Sequence, residues 1–299
     1  MRLDELPQSD RIEDRRGGLS GPAARRGGLG IGAIIVLGLI GWALGIDPRV
    51  LIGGAEMMSR GGQTQQQTDT DSTRPAGAPS DQTGKFVSSV LGSTEVVWTD
   101  VFAQAGKAYK PPTVVMFSGA TRSGCGSAQS AMGPFYCPID QKVYLDTSFF
   151  QDLERRFQAC DAGSKSCQFS QAYVIAHEIG HHVQNQLGLL PKVQEAQRGM
   201  DKVDANSLQV RVELQADCLA GVWANHAQEK WQFIEPGDVE SALQTASAIG
   251  DDRLQRRSQG YVVPDAFTHG SSAQRTRWFM TGLKSGTVKS CDTFRTQEL

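Results

Sequence analysis

Between Ser170 and Leu187 the chain repeats apolar residues at helical spacing while holding two histidines off that stripe. Ala172, Ile175, Ala176, Ile179, Val183 and Leu187 recur three or four residues apart, so they share one helix face. At about 100° per residue, His177 and His181 fall on the opposite side. Such a helix buries its apolar back in a core and turns both imidazoles to a cleft. Ser170 is the expected N-cap and Gly188 the expected stop.

Two imidazoles one helical turn apart can hold one metal ion, and zinc suits two imidazoles with a hard third donor. Glu178 stands beside them, where a carboxylate can take a proton from attacking water and pass it to the leaving amine. His182 lies between the two faces and reads either as a support for the metal ligands or as structural. The longer motif His-Glu-x-x-His-x-x-Gly-x-x-His is excluded, because Gln184 and Leu187 stand at its Gly and last His positions. The third donor must come from elsewhere. Glu213 is the best candidate, in the helix-like segment Arg211–Gly221. Asp217 shares its face and can accept the free N–H of a ligating imidazole. Ala216, Ala220 and Gly221 are small enough for a close approach to the histidine helix. His226 and His269 are competing ligands, and His226 sits too far along its helix to reach the same ion.

Around this helix the chain predicts an α+β plan, mostly helical with a small sheet. A helix is expected over Phe86–Ala105, and Pro111-Pro112 breaks the chain before a strand at Thr113–Phe117. Phe135–Cys137 and Lys142–Leu145 read as strands about a turn, with Lys142–Leu145 as the sheet edge open to an added peptide strand. Further helices are expected over Thr147–Ala159, Val239–Ile249 and Ala273–Leu283.

Ahead of this domain, Leu29–Ile46 is an uncharged apolar run of 18 residues, and residues 1–28 hold six Arg and no Lys. The run reads as a single transmembrane helix with the N-terminus cytoplasmic and the later chain periplasmic or extracellular. Residues 47–84 are polar and Gly-, Gln-, Thr- and Pro-rich, which reads as a disordered linker. The folded domain is then 85–299. All six Cys follow the apolar run, as expected of disulfides in an oxidising compartment. Six Cys admit 15 pairings, which sequence leaves open. Cys160–Cys167 as a local loop, Cys125–Cys137 across a hairpin and Cys218–Cys291 as a long tether are the expected set. The net charge of −2, without a basic patch, gives no support to nucleic-acid binding.

The segments HEIGHHVQ, VELQADCLAG and THGSSAQR together resemble the bacterial neutral zinc metallopeptidases of the YpfJ-like family, within the gluzincin pattern. The resemblance implies a zincin-like fold, Zn2+ held by His177, His181 and Glu213, and Glu178 as general base. It also implies a late His, here His269, near the carbonyl oxygen of the scissile bond, where it would steady the developing charge. This segment has Gly270-Ser271 where proline is common in such proteins, and Ser271 or Ser272 is also a good N-cap. The expected function is membrane-anchored, zinc-dependent hydrolysis of a peptide or protein substrate. A non-proteolytic envelope adaptor with a structural zinc site, and a zinc hydrolase of a cell-wall amide, stay open as alternatives.

Overall fold

The computed structural model describes residues 1–16, 79–129, 133–155, 157, 160 and 165–299. The run Leu29–Ile46 and the linker up to residue 78 lie outside these residues. Among the described residues no helix is long and apolar enough to cross a membrane.

A mixed four-stranded sheet takes the order β1 (Ile12–Asp14), β2 (Thr113–Phe117), β6 (Lys142–Asp146), β5 (Phe135–Cys137). Strands β1, β2 and β6 run parallel, and β5 is antiparallel to β6. Both β2 and β6 bury nearly every residue, as expected of central strands covered on both faces. Two short strands, β3 (Ala120–Ser123) and β4 (Gly126–Gln129), form a separate hairpin.

The sequence expectation of an edge at Lys142–Leu145 is corrected. Strand β6 lies between β2 and β5, so its backbone is paired on both sides and β5 is the edge. The expected domain start at Lys85 also shifts. Met1–Arg16 belongs to the same compact unit as the chain from Arg74 onward. Ile12 pairs with Val114 and is buried, and the strand carries Glu13 to Lys142, 2.8 Å away. A three-residue strand with one apolar residue leaves no readable alternation, which is why the pattern missed it.

Eight α-helices are described: α1 (Gln82–Gln104), α2 (Phe149–Arg155), α3 (Lys165–Gln186), α4 (Leu189–Gln197), α5 (Lys202–Trp231), α6 (Asp238–Ala248), α7 (Asp251–Gln259) and α8 (Ser272–Ser285). The Asp81 side chain caps α1 by accepting from the Gly84 N–H. Helix α3 starts five residues before the expected cap. Ser170 is therefore inside it, buried, with its hydroxyl 2.8 Å from that of Ser241 on α6. Gly188 follows the helix in the left-handed conformation, as a stop should. Ala172, Ile175, Ala176, Ile179 and Val183 are buried, whereas Leu187, past the last turn, is exposed.

Helix α3 packs on α5 through Gly180, where an added Cβ would stand 2.9 Å from the Ala216 carbonyl oxygen. Gly221 serves a different contact from the one expected. It faces α8, where a Cβ would meet Phe279 and Leu283 backbone. Gly282 returns the same contact onto Cys218. The six cysteines form Cys125–Cys137, Cys160–Cys167 and Cys218–Cys291, which is the expected set.

Candidate metal centre

Helix α3 carries His177, Glu178 and His181 into one cavity of about 500 Å³, shared with Glu213 of α5, His269 and Arg275 of α8. His177 Nε2 lies 3.2 Å from Glu213 Oε2, and His181 Nε2 lies 3.4 Å from the same oxygen. His177, His181 and Glu213 form a potential metal-holding group among the described residues. Ligand atoms bound about 2.0–2.1 Å from a tetrahedral zinc stand about 3.3 Å apart, so this donor set fits the ion in chemistry and in spacing.

The outward ring nitrogens are held as metal ligands require. His177 Nδ1 is 2.8 Å from Asp217 Oδ1. His181 Nδ1 is 2.9 Å from Gln184 Oε1, and Gln184 in turn donates to the Val212 carbonyl and to Gln215. Gln209 donates to Glu213 Oε1 at 2.9 Å. Each of the three donors therefore has a fixing partner, and each Nε2 is aimed at the shared point, where a bound ion would displace its proton.

Asp217 is the most heavily held of these partners. Arg275 donates to both its oxygens at 2.9 Å, and the Tyr173 hydroxyl donates to Oδ1. All three side chains are buried. Burial would raise the Asp217 pKa, but Arg275 and His177 overcome it and hold it at about 2. Burial would lower the His177 pKa, and the Asp217 carboxylate outweighs that and raises it to about 10. Burial of Glu213 is likewise overridden by His181 and His177, which keep it ionised. Two imidazoles share one carboxylate in a place where a dication would balance the charge.

Arg275 and Tyr173 were not among the sequence candidates. Arg275 sits three, four and seven residues before Trp278, Phe279 and Gly282, so it occupies the buried face of α8. A charged residue in an apolar stripe was the available signal. Tyr173 lies one turn before His177 on the same helix face.

His269 lines the cavity but is not in the donor group. Its side chain is half exposed, with Nδ1 3.4 Å from Asp251 Oδ1. Asp251 Oδ2 also accepts the backbone N–H groups of Thr268, His269 and Gly270, which fixes this loop. Gly270 has φ +92°, a conformation that favours glycine over proline. Ser271 caps α8 in a capping box with Gln274. His226 is elsewhere, 2.8 Å from the Gly286 carbonyl oxygen. His182 is buried and structural. It lies 3.0 Å from the Tyr136 hydroxyl and edge-on to the rings of Tyr109 and Tyr136.

The sequence profile of the family described as "Putative neutral zinc metallopeptidase" matches residues 1–294. The chain belongs to this family. It is 45% identical over 303 residues to "Uncharacterized protein YpfJ" of Escherichia coli (strain K12), covering 98% of this chain and 99% of that protein. It is 43% identical over 216 residues to "Uncharacterized protein Rv2575" of Mycobacterium tuberculosis, covering 69% of each. No solved structure matches. The cofactor is zinc, as the family and the donor set agree.

Proposed function

We propose that this protein is a zinc-dependent peptidase, with His177, His181 and Glu213 holding the ion and Glu178 as general base. The observation that carries this reading is the placement of Glu178. It opens into the same cavity as the three donors, on the helix that supplies two of them. Three protein donors, rather than the four of a closed structural site, converge among the described residues. That weighs against a purely structural zinc. Zinc, when bound, supplies a Lewis acid that acidifies water and polarises a carbonyl.

The protein groups do the rest. Glu178 accepts the proton of the attacking water and returns it to the leaving amine. His269, steadied by Asp251, lines the same cavity, and its role in this reading is to donate to the developing oxyanion. Among the described residues β5 is the edge strand, and it supplies Phe135 and Tyr136 to the cavity wall, which suits an extended peptide adding to the sheet there. Phe149, Phe157, Leu190 and Leu254 give the same cavity an apolar wall. Such a wall suits bulky amino-acid side chains better than a sugar-linked amide. The three disulfides support work in an oxidising compartment of a bacterial cell. The apolar run Leu29–Ile46 supports attachment to the membrane.

Glu178→Gln tests the reading. The variant should keep zinc and lose peptide cleavage by about 10²–10⁴-fold, measured by metal content and by turnover of a peptide library. Equal turnover in the variant and the parent would overturn it.

A further inference from the structure

Strand β1 precedes the apolar run in sequence, yet it is part of the sheet beside the metal domain. Ile12, Glu13 and Asp14 pair in parallel with Val114, Val115 and Met116. The Arg15 N–H donates to the Met116 carbonyl at 2.7 Å, and the Val114 N–H donates to the Arg11 carbonyl at 3.0 Å. Upstream, the Ser9 N–H reaches the Ser88 carbonyl on α1, and the Arg2 N–H reaches that of Phe233. Met1, Leu6 and Ile12 are buried in the main core.

The chain then leaves and re-enters the fold at one place. The Arg16 guanidinium holds Asp14 on β1 and Asp81, the cap of α1. The two ends of the intervening chain are therefore side by side.

The arginines give an independent observation. Six precede the apolar run, and their excess is what orients the sequence reading with the N-terminus in the cytoplasm. Four of the six have partners inside the fold. Arg2 donates to the Gln232 carbonyl, and Arg11 lies 3.8 Å from Glu95. Arg15 pairs with Glu13 at 2.6 Å, and Arg16 with Asp14 at 2.8 Å. These four arginines are therefore tied to the same folded unit that carries the metal domain.

We infer that residues 1–16 and the metal domain occupy the same compartment, on one side of any membrane the chain meets. A single crossing between Arg16 and Asp81 would set β1 and β2 on opposite faces of a bilayer, and they are hydrogen-bonded neighbours. This replaces the arrangement of a cytoplasmic N-terminus with an exported domain. It does not depend on zinc or on Glu178, so it stands or falls apart from the proposed peptidase activity.

Cysteine labelling of the full chain tests it in a bacterium with two membranes. The six native cysteines are paired, so they leave the background clear. Glu5→Cys reports on the N-terminal segment and Glu195→Cys on the metal domain, both at exposed positions. The probe is a membrane-impermeant maleimide, applied with the outer membrane opened and then with both membranes opened. The expected result is that both variants label at the same step. If one labels when the outer membrane is opened and the other only after the inner membrane is breached, the inference is overturned. Asp10→Cys and Arg198→Cys, also exposed, repeat the comparison should either first variant accumulate poorly. Circular dichroism of each purified variant checks that it is folded.

Discussion

Asp217 Oδ1 lies 2.8 Å from His177 Nδ1, and Arg275 grips the same carboxylate from the other side. One buried acid thus links the zinc helix α3, its neighbour α5 and the late helix α8. With the ion bound, the pairing would hold the His177 proton on Nδ1 and leave Nε2 to the metal. Asp217→Asn should weaken zinc binding about 10–100-fold, measured by competition with a chelator. An affinity equal to the parent's would disconnect Asp217 from the metal centre.

Glu213 is the oxygen donor that both Nε2 atoms approach. Glu213→Ala should lose zinc on dialysis under conditions where the parent retains one ion per chain. Retention of a full equivalent would show that the third donor lies elsewhere. Gln209→Ala, which only frees the Glu213 carboxylate to turn, should fall between the two.

Gly282 packs against the Cys218 carbonyl with no room for a Cβ. Gly282→Ala should force α8 away from α5 and cost about 1–3 kcal/mol. For a chain of this size that lowers the melting temperature by about 2–4 °C per kcal/mol. Because Arg275 rides on α8, zinc affinity should fall along with it. An unshifted melting curve would mean that the helices can part freely.

Acid should loosen the clasp between Arg16 and Asp81. The hydrogen bond from Arg16 holds the Asp81 pKa at about 2, below its ordinary 3.8. A depressed carboxylate contributes its stability fully above the unfolded value and loses it as pH falls through the folded one. Between about pH 5 and pH 2 the parent should therefore lose more stability than Asp81→Asn, in urea unfolding followed by circular dichroism. Parallel losses in the two proteins would remove the clasp from the account.

The metal helix was legible because its signal is local. Two histidines, a glutamate and an apolar stripe fall within one 3.6-residue period. Glu213 and Asp217 were legible by the same spacing once a third donor had to be found. Strand β1 was not, since its partner Val114 is far along the chain and Ile12 alone carries the apolar signal. The sheet edge was misread for a related reason. The residues of β6 look like those of any half-covered strand until β2 is known to lie on one side and β5 on the other. Helix α7 is strongly polar and exposed along most of its length, so no stripe announces it. Asp251 at its start nonetheless holds the His269 loop.

The parallel pairing of Ile12 with Val114 also sets an order of events. Strand β1 is synthesised first, but its place beside β2 does not exist until about a hundred more residues have been made. The opening segment must therefore wait, unpaired, until Thr113–Phe117 has been made. Met1 and Arg2 wait longer still, because the Phe233 carbonyl that Arg2 meets is made later again, so seating the first residues of the chain becomes a late step of maturation.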